Sequence, residues 1–266
     1  MHVDPRWVVV TLGSAVAFGS LSPLVHARRF NFFAASLPHS ALLSATLGYV
    51  LSITVGGHPA AWAVALSLPL STLLIYFIHA GVSVDSATSA FVAFSVAGSI
   101  AAMYYVLTYY PAKVSLWSYI LGDPLLASWD DALLVATIAA LTCTVSALTY
   151  MTELNIGLDS EFAAASGIRV KLHDYLLASL LTIASVTLLK VVGFAIEHVV
   201  VLLPGALSAR LARSAREFFV FSLLSSLAAS AAGLALSLLA NLAPAAAIGF
   251  VLLGAYLASL AAGGGR

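Results

Sequence analysis

The sequence has little charge of either sign. Of its 266 residues only 8% are Asp, Glu, Lys or Arg, whereas 62% are hydrophobic. A soluble domain carries about 25% charged residues. The apolar residues here are spread over the whole length, which leaves no stretch for a soluble domain of useful size. This scarcity of charge excludes a cytosolic enzyme, a nucleic-acid-binding domain and a disordered scaffold, and it indicates a polytopic membrane protein.

Cysteine and lysine are also scarce. Cys143 is the only cysteine, which excludes an intrachain disulfide and a cysteine-based metal cluster within one chain. None of the three lysines (Lys113, Lys171 and Lys190) follows a glycine, so the phosphate-binding loop GxxxxGK[ST] is missing. The formal net charge is zero, so the chain has no basic face for nucleic acid and no acidic tail. The chain is therefore not a self-sufficient pump of the P-loop type.

Long apolar runs are what the sequence has in abundance. A helix needs about 20 apolar residues to cross about 30 Å of hydrocarbon. Within lipid such runs are helical because every backbone polar group must be satisfied internally. We predict an all-α polytopic transmembrane bundle in a single domain, 1–266, with nine spans, or eight if the short seventh segment re-enters. The predicted spans are Trp7–His26, His39–Gly56, Ala60–Ala80, Ala87–Tyr109, Asp131–Met151, Asp174–Val192, Gly193–Ser208, Phe218–Ala240 and Ala243–Leu260.

The basic residues predict the orientation of the bundle. With nine alternating spans, eight of them fall on one side and three on the other, and the positive-inside rule makes the richer side cytoplasmic. The N-terminus is then outside and the C-terminus inside. The richer side has Arg28, Arg29, Arg169, Lys171, Arg210, Arg213, Arg216 and Arg266, and the other side has Arg6, Lys113 and Lys190.

Two connections between the spans are long. Pro111–Asp130 is amphipathic and carries tryptophan and tyrosine of the kind that settles at a membrane interface. Thr152–His173 is the most polar stretch and is expected in the cytoplasm. Within it, an acidic first turn at Asp159–Glu161, a run of alanines and a stop at Gly167 predict a short surface helix. Such a helix is typical of a docking element, and the alternative is a solvated helix without a partner.

Five segments carry a series of motifs from about Pro23 to Ser259. They are ARRFNFFAASLPHSALL near the start, SYILGDPLLASWDD before the polar connection, LDSEFAAASGIRV within it, LLKVVGFAIEHVVVLLPGALSARLARS after it, and NLAPAAAIGFVLLGAYLAS at the last span. In this order and spacing they resemble the permease subunits of metal-ion ABC importers for zinc, manganese and iron (ABC-3 type).

The resemblance implies a homodimeric permease that moves a divalent metal ion across the cell membrane by alternating access. It implies a separate ABC ATPase subunit dimer on the cytoplasmic face, an extracytoplasmic metal-binding protein at the outer mouth, and contact with membrane lipid but not with nucleic acid. The metal is the substrate, and no tightly bound cofactor and no catalytic residue are expected. The connection 152–173 becomes the coupling loop, in which the resemblance assigns ATPase coupling to Asp159, Glu161, Phe162, Ala163 and Gly167. The acidic residues suit basic ATPase groups, and Phe162 suits an apolar anchor.

Few ionisable residues lie inside the predicted spans. Each costs roughly 2.5–3.5 kcal/mol on insertion scales and indicates function, and a divalent metal needs oxygen or imidazole ligands. The family has an Asp four residues before its His on the second helix, whereas this chain keeps His39 and has Ala35 at the Asp position. We predict a displaced metal site on the translocation pathway, in which Glu197 supplies the carboxylate and works with His39 or His198.

Each of these side chains also has a structural interpretation. His198 is alternatively a packed histidine bonded to a backbone carbonyl, Glu197 balances the charge of Lys190, and His39 lines a helix start. Asp123 is a weaker candidate at the outer mouth, where acids concentrate cations. The neighbouring acids are explained equally well as interface residues, with Asp131 as a helix N-cap. The remaining histidines, His2, His26, His58, His79 and His173, and Asp85 lie at ends and loops without the spacing of a ligand set.

Other functions remain as alternatives at this point. An ABC permease for a metal chelate such as a siderophore or cobalamin has a similar architecture, although such chains are usually longer and need no intramembrane histidine or glutamate. An intramembrane metalloprotease would show HExxH, and the histidine after Glu197 has no second histidine four residues on. A non-ABC channel or a structural subunit has no need of the polar docking loop.

Overall fold

The computed structural model describes residues 4–110 and 117–263, and within these ranges the chain is helical and has no strand. Nine of the helices in the described part have 18 residues or more, which confirms the all-α prediction. The helices are α1 (Pro5–Ala27), α2 (Asn31–Thr54), α3 (Pro59–His79), α4 (Val84–Tyr109), α5 (Trp117–Leu121), α6 (Trp129–Leu158), α7 (Ser160–Ala165), α8 (Val170–Val192), α9 (Phe194–Leu211), α10 (Ala215–Ala240) and α11 (Pro244–Gly263), with a 3-10 turn at Pro124–Leu126.

Each of the nine predicted spans coincides with one long helix. Seven helices in the described ranges are long and apolar enough to cross a membrane, namely α1, α3, α4, α6, α8, α10 and α11. The two other long helices, α2 and α9, each carry a proline and a histidine within the helix. These two helices hold the candidate metal ligands.

Two helix boundaries differ from the predictions. The second helix begins at Asn31 rather than at His39, because Pro38 lies inside α2 and does not interrupt it; neighbouring groups commonly tolerate a proline in a membrane helix. The polar connection Thr152–His173 is also shorter than predicted. Since α6 continues to Leu158 and α8 starts at Val170, only residues 159–169 lie between these two helices.

Helices α1 and α8 form the centre of the bundle, where most of their residues are buried. Small residues let the neighbours of α1 approach its backbone, as is common between membrane helices. The Ser222 and Ser226 hydroxyls of α10 donate to the carbonyls of Gly19 and Ala15, at 2.8 and 2.9 Å. On another side of α1, the N–H of Gly205 in α9 donates to the Ser22 hydroxyl at 2.7 Å. Helix α1 therefore packs closely against both α9 and α10.

One end of the bundle collects most of the basic residues, and we call it the basic face. The ends of α1, α3 and α6 and the start of α8 meet there in ion pairs. The end of α9 and the start of α10 join them. The basic residues at this face are Arg28, Arg29, Arg169, Lys171, Arg210, Arg213 and Arg216. Arg6 and Lys190 lie at the opposite face, and Lys113 and Arg266 lie outside the described residues.

Candidate functional site

Two histidines meet in the interior of the bundle. His39 of α2 and His198 of α9 lie with their ring centroids 5.7 Å apart, and both side chains are half-buried. Phe194, one turn before His198, packs against both rings, with its centroid 4.9 Å from that of His39 and 5.7 Å from that of His198. We call this arrangement the His39–His198 pair. The earlier start of α2 is what brings His39 to this depth.

The helical repeat explains why the two rings meet. Residues four apart lie on one face of a helix, so that Phe194 and His198 project together from α9 toward α2. Nδ1 of His198 lies 3.2 Å from the carbonyl oxygen of Phe194, and the ring also interacts with the backbone of Ala35. Ala35 precedes His39 by four residues on the same face of α2. The family that the sequence resembles has an Asp at the position of Ala35, and a carboxylate there would therefore lie beside the pair.

Glu197 is buried but does not join the pair. Its side chain is 1% exposed, faces Ser185 of α8, and leaves one carboxylate oxygen, Oε2, buried without a hydrogen-bond partner. Within residues 4–110 and 117–263, no group of three or more His, Cys, Asp or Glu side chains is arranged to hold a metal ion. The predicted combination of His39, Glu197 and His198 is thus not preassembled, and a role for Glu197 in transport stays a prediction. The alternative that Glu197 balances Lys190 is wrong, since Lys190 bonds Asp131.

A cavity of about 170 Å³ opens between α2, α3, α6 and α8 toward the opposite face. Nζ of Lys190 donates to Oδ2 of Asp131 at 2.7 Å beside it, and His58 and Tyr119 also line it. Burial and the negative charge of Asp131 raise the pKa of Tyr119 above its usual value. An apolar layer lies along the wall of this cavity, on the side of Phe194, which packs against both histidines. The layer consists of Ala41, Ala45, Ala63, Val186 and Leu189, with Phe194 packed against it.

The acids next to this cavity have local structural roles. Ser128, not Asp131, is the N-cap of α6, and Asp131 completes the capping box by accepting from the backbone N–H of Ser128 at 2.8 Å. The prediction of Asp131 as the N-cap was therefore wrong by three residues, because the helix starts at Trp129. Asp123 accepts from the N–H of Leu125 at 2.9 Å and begins the 3-10 turn. Its role at an outer mouth stays a prediction.

The short surface helix is present as α7. Asp159 is its N-cap and accepts from the N–H groups of Glu161 and Phe162 at 3.0 and 2.9 Å. The ring of Phe162 is 70% exposed, while Ala163 is buried against the bundle. Gly167 follows the helix with φ of 88°, a conformation that favours glycine. Helix α7 thus presents one large apolar side chain and one carboxylate, that of Glu161, outward from the basic face.

Sequence reasoning missed a cluster of buried charges at the basic face. The guanidinium of Arg28 donates to the carboxylates of Glu153 in α6 and Asp174 in α8, and all three side chains are almost fully buried. His173 Nδ1 lies 2.8 Å from Glu153, and His79 Nε2 lies 3.1 Å from Asp174. We call these five residues the Arg28 cluster. His79 and His173 therefore belong to this cluster, whereas the sequence suggested that they are isolated residues at ends and loops. The only signal for the cluster in the sequence was that Arg28 and the acids at the two ends of the polar connection, Glu153 and Asp174, are all predicted on the same side of the membrane.

In the described ranges, nine long helices, of which seven are long and apolar enough to cross a membrane, define a multi-pass membrane protein. The chain matches the ABC 3 transport family over residues 5–263, and it belongs to that family. The resemblance inferred from the five sequence segments is thereby confirmed, as is placement in the cell membrane.

Several proteins of this kind are similar to the chain. A probable metal transport system membrane protein of Thermotoga maritima is 26% identical over 71% of this chain, a match that spans 65% of that protein. The manganese transport system membrane protein MntC of Listeria monocytogenes is 22% identical over 90% of this chain and 82% of that protein. The solved PsaBC structure from Streptococcus pneumoniae, in complex with Fab, superposes with a TM-score of 0.83 at 20% identity. It covers 96% of this chain and 90% of that one.

Proposed function

We propose that the chain is the membrane-spanning subunit of an ABC importer that moves a divalent metal ion into the cell. The observation that carries the proposal is the His39–His198 pair, in which two imidazoles from different helices face each other in the interior of the bundle. Polar side chains at such depth are costly and mark transport pathways. The names of the similar proteins, which describe metal or manganese transport, support the same substrate class.

The ligand chemistry favours some metals over others. Imidazole suits zinc and iron, whereas carboxylate oxygens suit manganese. With Ala35 in place of the family's Asp, the pair offers two nitrogens and no carboxylate from α2. Adjacent residues on a helix point about 100° apart, so Glu197 would reach the pair only if α9 rotated. We therefore propose zinc or iron as the preferred substrate of the static site, with Glu197 as a ligand recruited during transport.

The faces of the bundle suggest the direction of the path. The positive-inside rule makes the basic face cytoplasmic, so that the 170 Å³ cavity opens outward. Pockets for small-molecule ligands measure about 300–1,000 Å³, and this smaller cavity suits a bare ion better than a metal chelate. In the proposed cycle a binding protein delivers the ion above the apolar layer, near Asp123, and the layer must part before the ion reaches the His39–His198 pair.

The sequence of residues 1–266 has no phosphate-binding loop, and we accordingly place ATP hydrolysis on a separate ATPase. Helix α7 has the features of the contact with that ATPase, because Phe162 is an exposed apolar anchor and Glu161 a neighbouring charge. Asp159 and Gly167 define the start of α7 and the turn after it, and Ala163 seats it on the bundle. We propose that the residues between α6 and α8 form the coupling loop of a single-domain permease that works as a homodimer by alternating access.

The test is ATP-dependent uptake of zinc, manganese and iron into vesicles that contain the permease, its ATPase and its binding protein. We expect zinc or iron to be imported in preference to manganese. His39→Ala and His198→Ala should each weaken metal affinity about 10-fold or more, as the loss of an orienting group at a metal site typically does. His26→Ala is the matched control, because His26 is a half-buried histidine that packs on Phe218 instead. Uptake of none of the three metals would contradict the proposal.

Two further variants separate the parts of the site. Ala35→Asp places a carboxylate beside the pair and should raise manganese uptake relative to zinc. Glu197→Ala should abolish uptake while binding of the ATPase persists. Unchanged uptake by the Glu197 variant would exclude Glu197 as a ligand and leave the two histidines as the site. An unchanged metal preference in the Ala35 variant would place the selective step elsewhere on the path.

A further inference from the structure

Three members of the Arg28 cluster lie in α6 and α8, the helices that precede and follow α7 in the chain and that we call its flanks. Glu153 lies five residues before the end of α6, and His173 and Asp174 are the fourth and fifth residues of α8. Arg28 follows the last residue of α1 and is the first of the three residues, 28–30, that link α1 to α2. Its guanidinium bonds the carboxylates of both flanks at once, and its side chain is only 5% exposed. The guanidinium of Arg28 therefore links α6 and α8, the two helices that α7 connects.

Backbone packing reinforces this connection. A Cβ on Gly157, in the last turn of α6, would lie 2.3 Å from the carbonyl oxygen of Ala27. The absence of a side chain at Gly157 lets α6 touch the end of α1 directly beside Arg28. His79, at the end of α3, approaches Asp174 from another side. A displacement of either flank of α7 must accordingly move the α1–α2 turn or break the bonds of Arg28.

The same turn is the start of the helix that carries His39. Helix α2 begins at Asn31, three residues after Arg28, and His39 lies about two turns along it. Helix α2 also packs against α3, α8 and α9. A rigid connection thus runs from α7, through Glu153 and Asp174, to Arg28 and along α2 to the His39–His198 pair.

We infer that Arg28 is a positioning residue that transmits movement of α7 to α2 and so links ATP hydrolysis to opening of the metal path. The inference rests on the proposed function. Buried, packed interfaces have discrete arrangements rather than continuous ones. A cation bonded to two carboxylates on separate helices is suited to such a role, because it keeps both flanks in register while α7 is displaced by its partner.

The test compares coupling in the complete complex with its ATPase and binding protein in vesicles. The first readout is the number of ATP molecules hydrolysed per metal ion imported, with whichever of zinc, manganese and iron the wild type takes up. The second readout is the stimulation of ATP hydrolysis by the metal-loaded binding protein. Arg28→Gln should raise the first ratio about 10-fold, within the range of ordinary coupling effects, and abolish the stimulation. Arg28→Lys should restore part of both.

Arg28→Gln leaves two buried carboxylates without a partner, so folding needs a separate control. The triple variant Arg28→Met, Glu153→Gln, Asp174→Asn removes all three charges, and such neutral replacements are often tolerated. We expect it to assemble with the ATPase and yet remain uncoupled. His173→Gln, which alters a member of the cluster that is 20% exposed, is a milder variant and should raise the ratio by a smaller factor. Arg29→Gln, which changes the neighbouring exposed arginine, should behave as wild type.

The outcomes distinguish the inference from the proposed function. Normal coupling in the triple variant or, if that variant does not fold, in the His173 variant would overturn the role of Arg28 while wild-type metal uptake persists. A coupling loss of equal size in the Arg29 variant would also overturn it, because the effect would then follow from lost positive charge in general. Absence of uptake by the wild type would contradict the proposed function instead, and the stimulation of ATP hydrolysis would still test the inference.

Discussion

Helices α6 and α8 are joined by charge at both ends, but in different ways. At the opposite face a single pair, Asp131 and Lys190, borders a cavity, with side chains 19% and 36% exposed. At the basic face, Glu153 and Asp174 share the guanidinium of Arg28 and are nearly inaccessible. The same two helices are therefore linked by one accessible ion pair, Asp131–Lys190, and by one buried set of ion pairs, Glu153–Arg28–Asp174. We call these the accessible fastening and the buried fastening.

The difference follows from what surrounds each pair. The Asp131–Lys190 pair is only partly buried, and an ion pair that water reaches contributes at most about 1 kcal/mol, so that Lys190 can leave Asp131 at less cost than Arg28 can leave its partners. Removing one partner of a buried pair strands a charge and costs about 3–5 kcal/mol. A transporter that opens alternately needs one end that yields and one that transmits force. In the proposed transport cycle, the opposite face would be the end that yields and the basic face the end that transmits movement.

The largest expected effect comes from removing the centre of the buried fastening. Arg28→Met should lower the free energy of unfolding by about 3–5 kcal/mol, because Glu153 and Asp174 would be left buried without a cation. The measurement is denaturant unfolding of the purified protein in mixed micelles. Arg29→Met, at the exposed neighbouring position, is the matched control and should change stability little. Equal stability of the two variants would show that the buried ion pairs of Arg28 contribute no more to stability than the exposed Arg29 does.

A smaller effect is expected from the close approach of α6 to α1. Gly157→Ala would place a methyl group against the carbonyl of Ala27 and force the helices apart, which costs about 1–3 kcal/mol for an overpacked site. Gly254→Ala is the control, since nothing lies within 4 Å of its added Cβ. The same unfolding measurement applies. Comparable stability of the two variants would mean that α6 shifts freely at its end, contrary to a rigid fastening there.

The sequence predicted the features that depend on composition and local pattern. The nine helices follow from apolar runs, and α7 follows from Asp159, the alanines and Gly167, all of which act within a few residues. The start of α2 was missed, because the context of Pro38 in the bundle decides whether a proline ends a helix. The partners of Arg28 were missed for another reason: they lie 125 and 146 residues away, and no local pattern encodes such a contact. His39 and His198 were each identified, whereas their proximity depends on how α2 packs against α9.

The smallest expected effect is at the accessible ion pair, Asp131–Lys190. Lys190→Gln removes the cation from Asp131 beside the 170 Å³ cavity and should lower the free energy of unfolding by at most about 1 kcal/mol, less at high salt. Unlike the variants of the basic face, it should keep ATP hydrolysis coupled to uptake. An uncompensated Asp131 carboxylate would attract cations to the cavity, so the apparent KM for metal should fall, or stay unchanged if the ion never touches Asp131. A loss of several kcal/mol, or uncoupling as severe as that of Arg28→Gln, would mean that both ends of the α6–α8 pair are fixed. The end that yields and the end that transmits movement would then have to be formed by other helices.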